Sequence, residues 1–231
     1  MRTARAISRR TFLLGAAGIA TLGLAACGGG GSSAATGAPS TAAATDIADL
    51  SQTPSEGKAV DDTGFAAGTH HATLVLKGYG TIQLELDADA APVTVSNFAR
   101  LANEGFYDGL TFHRIIKGFM MQGGDPKGDG TGGSDATIVG EFASNGHENP
   151  ISHARGTISM ARSNDPNSAS SQFFIMQEDT PSLDGDYAAF GHVTEGMDVV
   201  DAVCDSARPS DSNGTIPKDR QPVIESLRMV D

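Results

Sequence analysis

The chain has 231 residues, 39% hydrophobic and 19% charged, with 16 Lys+Arg against 28 Asp+Glu and a formal net charge of −12. Arg2, Arg5, Arg9 and Arg10 lie within the first 26 positions, so the remainder carries 12 basic residues against 28 acidic ones. That balance argues against a nucleic-acid partner, because a phosphate backbone calls for a basic face. Two Cys are too few for a disulfide framework or a Cys-rich zinc module.

Residues 1–10 are basic, Phe12 to Ala26 are almost wholly apolar or small, and Cys27 follows at once, which is the three-part order of an export signal. The apolar run of 15 residues is shorter than the ~20 a spanning helix needs. Ser8-Arg9-Arg10-Thr11-Phe12-Leu13 resembles the twin-arginine export motif, and Leu24-Ala25-Ala26-Cys27 resembles the bacterial lipobox, which implies lipid attachment at Cys27. The reading is therefore a signal peptide over 1–26 and an exported, extracytoplasmic protein held to the membrane through its lipid alone. Residues 28–45 consist only of Gly, Ser, Ala, Thr and Pro, and polar sequence continues to Gly68. A stretch of this composition cannot bury enough apolar surface to fold. Residues 27–68 are read as a lipidated Cys and a tether with a reach on the order of 35 Å.

A folded domain is expected over 69–231. Thr81-Ile82-Gln83-Leu84-Glu85-Leu86-Asp87 alternates polar and apolar residues, the period of a half-buried strand, and Ala72–Lys77 precedes it across Gly78-Tyr79-Gly80 as a hairpin. Pro92 opens a helix to Asn103, with Val95, Phe98, Leu101 and Ala102 at helical spacing and Gly105 placed to stop it. Short apolar runs follow at 110–116, 119–122, 138–142, 157–161, 172–176, 188–193 and 223–230, and Met197–Val203 reads as a second helix. Many short strands with two helices point to an antiparallel barrel.

Several local patterns match known sites only in part. Gly128–Gly133 fits G-x-G-x-x-G, but no helical period follows it, so it reads as a loop rather than a dinucleotide site. Asp125, Asp129 and Gly130 resemble the start of a calcium loop, yet Ala136 stands where a ligating Glu is required. No metal and no cofactor is expected. Ser134 lies in a partial nucleophile-elbow pattern that lacks its last Gly and has no strand leading tightly into it, which leaves a serine hydrolase only as an alternative reading. In Phe112–Asp125 the polar side chains are interleaved with large apolar ones. Strict alternation would put Phe112, Arg114 and Ile116 on one face of the first strand, with Phe119 and Met121 opposite Met120 and Gln122 on the next.

Phe112–Asp125, Gly156–Ile175 and Leu183–Gly191, in this order and spacing, resemble the cyclophilin-type peptidyl-prolyl cis-trans isomerases, and Ala91–Phe98 resembles that family's first helix. The resemblance runs from about residue 70 to the C-terminus. It implies a mostly β fold, an eight-stranded antiparallel barrel closed by two helices, with proline bound in an outer groove. It implies that Arg114 is the catalytic arginine, aided by Phe119 and Gln122, and that His113, Met120, Ala161, Gln172, Phe174, Leu183 and Tyr187 contact the substrate. Ser182 and Tyr187 depart from eukaryotic members, which commonly have Trp and His there.

The residue types suit the reaction. Rotation about an X-Pro bond must break amide resonance, a barrier of ~18–20 kcal/mol, and needs neither nucleophile nor metal. The twisted prolyl nitrogen becomes a better hydrogen-bond acceptor, so a nearby guanidinium stabilises the transition state above either planar ground state. The expected activity is prolyl isomerisation assisting the folding of exported proteins, by a monomer whose partners are proline-containing segments. The alternative is a cyclophilin-like module that holds such segments with little catalysis, for which Ser182 and Tyr187 are the sequence support. From the lipobox, Cys27→Ser is expected to abolish lipid attachment and leave unprocessed precursor; unchanged gel mobility would contradict it.

Overall fold

The structure is a computed structural model that describes residues 64–231. The signal peptide and the tether, apart from residues 64–68, lie outside the described residues. Eight strands form one antiparallel sheet: β1 Thr69–Leu76, β2 Gly80–Asp87, β3 Thr111–Ile116, β4 Met120–Asp125, β5 Thr157–Met160, β6 Phe173–Met176, β7 Ala189–Glu195 and β8 Ile224–Met229. Their order across the sheet is β3-β4-β6-β5-β7-β2-β1-β8. The sheet curls so that one face of every strand shares a core that includes Leu74, Leu84, Phe112, Met121, Ile158, Phe173, Phe190 and Leu227. Between β3 and β8, at the two ends of that order, the closed barrel expected from the resemblance is not completed by a ladder. Among the described residues the seam holds an isolated bridge, Thr111 to Val223, with backbone bonds from Phe112 N–H to Pro222 O and from Ile224 N–H to Leu110 O.

Two helices pack on this sheet, α1 Pro92–Asn103 against β8 and β2, α2 Met197–Ser206 against β2 and β4. Both present an apolar stripe: Val95, Phe98, Leu101 and Ala102 from α1, and Val199, Val200, Val203 and Cys204 from α2. The α1 boundaries are those the sequence pattern gives. Pro92 supplies a preset φ at the first turn. Beyond Asn103, Gly105 adopts φ +72°, and the Gly105 and Phe106 N–H groups return to Ala102 O and Leu101 O.

The run at 138–142 is not a strand. Its only pairing is the isolated bridge between Ile138 and Ala169. Instead Glu141, almost fully buried, accepts hydrogen bonds from Val93 N–H at 2.9 Å and Thr94 N–H at 2.8 Å. These donors open α1 and have no partner within the helix, so a distant carboxylate satisfies them and complements the helix dipole. An apolar periodicity cannot report such a role, because the segment is held by its polar member.

Outside the main sheet, residues 213–216 run along β3. Ile115 N–H donates to Gly214 O, Ile216 N–H donates to His113 O, and Thr215 bridges Arg114. Gly214 sits at φ +86°, where a Cβ would stand 2.5 Å from Ile116 Cγ1 and 2.8 Å from Ile115 O. Backbone strain and overlap there act together. Gly214→Ala is expected to lower stability by about 1–3 kcal/mol, read as a shift of the denaturant midpoint; an unchanged midpoint would contradict this packing.

Candidate functional site

The pairing register builds the site. Arg114 lies opposite Gln122, Gln122 opposite Phe174, and Phe174 opposite Ser159, which makes one row of side chains across β3, β4, β6 and β5. The next row in one direction is Ile115, Met121, Ile175 and Ile158, all in the core. Because pleated strands alternate faces, the Arg114 row stands on the outer side of the sheet. One row further, Ile116, Met120 and Met176 return to that outer face.

Strict alternation fails within β3. The register shifts between Phe112 and Arg114, so His113 is an extra residue, a β-bulge that leaves Phe112 in the core and Arg114 outside. Phe112 and Arg114 therefore do not share a face. Phe119 also departs from the expected alternation. It lies in the turn before β4, its N–H bonded to Ile116 O, and joins Met120 on the outer side while Met121 points into the core.

On the outer face, Phe119, Met120, Ala161, Phe174, Met176, Leu183 and Tyr187 form a second apolar cluster, with Ile116 packed against it. Phe174 and Tyr187 meet edge to face at 5.9 Å. Beside the cluster runs a polar chain. The Arg114 Nε–H donates to Asn213 O at 2.8 Å and to its side-chain Oδ1 at 3.1 Å, and Nη1 reaches Gln122 Oε1 at 3.4 Å. Gln122 Nε2 donates to Gln172 Oε1 at 3.0 Å, and Gln172 Nε2 donates to Gly130 O and Gly132 O. All three side chains are buried.

The loop that receives Gln172 is shaped by Asp125. Its carboxylate accepts from the N–H groups of Lys127, Asp129 and Gly130. The calcium-like residues thus satisfy backbone donors, and among the described residues no group of three or more His, Cys, Asp or Glu is placed to hold a metal ion. Ser134 donates to Ala136 O within its own turn.

His113 is brought to this loop rather than to the apolar cluster, its ring facing Gly130. It is buried, and its Nδ1 has no hydrogen-bond partner. Burial lowers its pKa to about 4, only partly offset by Asp125. The ring is therefore neutral beside Arg114. At the other side of the cluster, the Arg162 guanidinium lies 4.8 Å from the Tyr187 ring centroid and 5.0 Å from that of Phe142.

Thus the structure brings together Arg114, Gln122 and Gln172 as a polar chain and Phe119, Met120, Ala161, Phe174, Leu183 and Tyr187 as an apolar floor, while Cys27 lies outside the described residues. Sequence reasoning missed Asn213, which anchors Arg114, and His153 with Asp184, described below. The Asn213-Gly214 dipeptide is a turn signal, but nothing local tells that the turn meets β3.

An outer face that sets an apolar cluster beside a chain of amide groups and a guanidinium has the chemistry to hold a peptide and to donate to its backbone. The family model of cyclophilin type peptidyl-prolyl cis-trans isomerase/CLD matches residues 71–228. The chain is 49% identical over 124 residues to peptidyl-prolyl cis-trans isomerase B of Bacillus subtilis, covering 54% of this chain and 83% of that protein. It is 48% identical over 139 residues to a peptidyl-prolyl cis-trans isomerase of Helicobacter pylori, covering 59% and 82%. A crystal structure of a Cryptosporidium parvum cyclophilin type peptidyl-prolyl cis-trans isomerase, determined in the presence of the dipeptide Ala-Pro, is similar with TM-score 0.61 and 30% identity over 70% of this chain and 99% of that one. The chain belongs to the cyclophilin-type peptidyl-prolyl cis-trans isomerase family, and it is an enzyme of that activity.

The neutral His113 has a consequence for stability. Its folded pKa lies below the ordinary value of 6.5, so the unfolded chain binds the extra proton first. The stability this group maintains is full above pH 6.5 and is lost as pH falls toward 4, on the order of 3 kcal/mol. Denaturant midpoints measured at pH 7.5 and 4.5 should therefore converge in His113→Gln relative to the wild type. An equal acid loss in both proteins would contradict the buried neutral ring.

Proposed function

We propose that Arg114 carries the chemical step and that the apolar cluster seats the substrate proline. The observation that carries this reading is the cross-strand row Arg114–Gln122–Phe174, which sets a guanidinium two strands away from Phe174 in the outer apolar cluster, with Gln122 between them. Phe119, Met120, Phe174 and Leu183 would hold the pyrrolidine ring while the preceding carbonyl swings. Gln122, Gln172 and the backbone at Ala161 would hold the peptide, and Tyr187 would close the pocket. His113 would shape the groove through the Gly130 loop. The Arg114 guanidinium would donate to the prolyl nitrogen as it becomes pyramidal, an interaction made only in the transition state. Its anchoring at Asn213 limits the reorganisation needed at that moment. A substrate segment containing proline is in keeping with the solved relative, determined in the presence of the dipeptide Ala-Pro.

The wider reading is that this isomerase works on proline-containing segments of exported proteins at the outer face of the cytoplasmic membrane, as a lipid-anchored monomer. The export and anchoring parts of this reading are supported by the N-terminal pattern ending at Cys27.

Arg114→Ala is expected to lower kcat/KM for a short X-Pro peptide by roughly 10²–10³, the loss typical of one preorganised donor. Arg114→Lys should recover only part of it, because a point charge on a flexible stem lacks the planar fork. Circular dichroism checks the fold of both. A folded Arg114→Ala protein with wild-type kcat/KM would overturn the assignment of the chemical step.

A further inference from the structure

Behind the apolar cluster lies a second hydrogen-bonded chain that the reaction as described does not use. His153 precedes β5 and is buried. Its backbone N–H donates to Asp184 Oδ1 at 2.7 Å, and its ring Nδ1 lies 2.9 Å from the same oxygen. Asp184 also accepts from Ser152 Oγ at 2.7 Å. On the far side of the ring, His153 Nε2 lies 3.0 Å from Ser159 Oγ. An ionised carboxylate only accepts, so the ring proton is on Nδ1, and Nε2 accepts from the Ser159 hydroxyl.

A Ser–His–Asp chain invites comparison with a nucleophilic triad, but Ser159 is fully buried, and no substrate carbonyl can reach its Oγ. What the chain does touch is the pocket. The His153 ring stacks on Phe174 at 5.9 Å with an interplanar angle of 16°, and it meets Tyr187 at 6.4 Å and 79°. Ser159 is the cross-strand neighbour of Phe174, and Asp184 directly follows Leu183 at the end of the 3-10 turn Pro181–Leu183. His153 is thus joined to each of three pocket elements: the β5–β6 pair, the Leu183 turn and the Tyr187 ring.

We propose that His153, clamped by Asp184 and Ser159, is a positioning residue for the isomerase: it fixes the plane of Phe174 and the approach of Leu183, so that the proline seat is formed before substrate arrives. This rests on the pocket assignment above. Removing the ring would leave a space beside Phe174 and would take one partner each from Asp184 and Ser159. Phe174 would then sample arrangements in which the seat is not formed. The apparent affinity falls by the fraction of molecules in the competent arrangement, whereas the chemical step of a bound substrate is unaffected.

The experiment is the steady-state kinetics of the full-length protein on an X-Pro peptide, with kcat and KM resolved separately. His153→Ala is expected to raise KM about three- to tenfold with kcat held within about twofold, and the Phe174 ring signals in NMR should broaden or multiply. A purely structural role would reduce the folded, active fraction and so lower apparent kcat at unchanged KM. That result, or an unchanged KM with unaltered Phe174 signals, overturns the proposal. If His153→Ala does not fold, Asp184→Asn decides, since it conserves volume while taking away the anion that fixes the ring proton. A KM raised about twofold or more supports the clamp, and an unchanged KM refutes it. Phe174→Ala, run alongside, separates the two readings. If it keeps the wild-type KM, the pocket assignment falls and this inference with it; if it raises KM while His153→Ala does not, only the clamp fails.

Discussion

The site depends on one register constraint. In a pleated sheet a slip of one residue exchanges the two faces of a strand, and β3 contains such a slip by design of its sequence: the bulge at His113. Upstream of it Phe112 packs into the core against Phe173; downstream Arg114 stands outside in line with Gln122 and Phe174. Without the bulge, with His113 in a regular place in the strand, Phe112 and Arg114 would lie two positions apart on the same face, and a strand that buries Phe112 would turn Arg114 to the core side. A buried guanidinium among Phe and Ile has no compensating partners there. The core and the site are thus two faces of the same ladder, and the strength of the first holds the second in place.

Polar side chains and loop carbonyls, some buried and some at the surface, do the remaining construction. Glu141 completes the first turn of α1, Asp125 shapes the loop at 127–130, Asn213 holds the Arg114 side chain, and Asp184 holds His153. Where the donor is buried, as at Thr94 N–H, leaving it unpaired would cost roughly 1–3 kcal/mol. The loops around the groove therefore have definite positions without belonging to strands. A groove for an extended peptide needs such definition, since orientation of the bound amide is much of the catalysis available without covalent chemistry.

The electrostatics follow the same economy. The chain as a whole is acidic, yet the polar chain of the groove centres on Arg114. His113, adjacent in sequence, is kept neutral by burial, so the guanidinium is not opposed by a second cation beside it. Arg162, the other cation of the region, is spread over the Phe142 and Tyr187 rings and donates to the carbonyls of Asp186 and Ser163. Asp184 shows the converse balance. Burial works against its charge, but the His153 N–H, the Ser152 hydroxyl and the His153 ring hold its carboxyl below the usual range.

The periodicities of Thr81–Asp87 and Pro92–Asn103 are local properties of the chain, and the sequence by itself determined the β1–β2 hairpin and α1, because turn residues and apolar spacing act over a few positions. The family motifs also lie in continuous stretches, so Arg114, Phe119, Gln122, Gln172 and Phe174 were legible as a set. Tertiary structure alone decided which face each occupies, since the bulge at His113 is visible only when β3 is laid against β4. It also decided that the run at 138–142 caps a helix through Glu141, that the seam between β3 and β8 is an isolated bridge with a few backbone bonds rather than a ladder, and that Asn213 meets Arg114 across 99 residues. The position of His153 belongs to the same class: a lone histidine acquires its meaning from Asp184, Ser159 and Phe174, which the fold, and not the neighbouring sequence, brings around it.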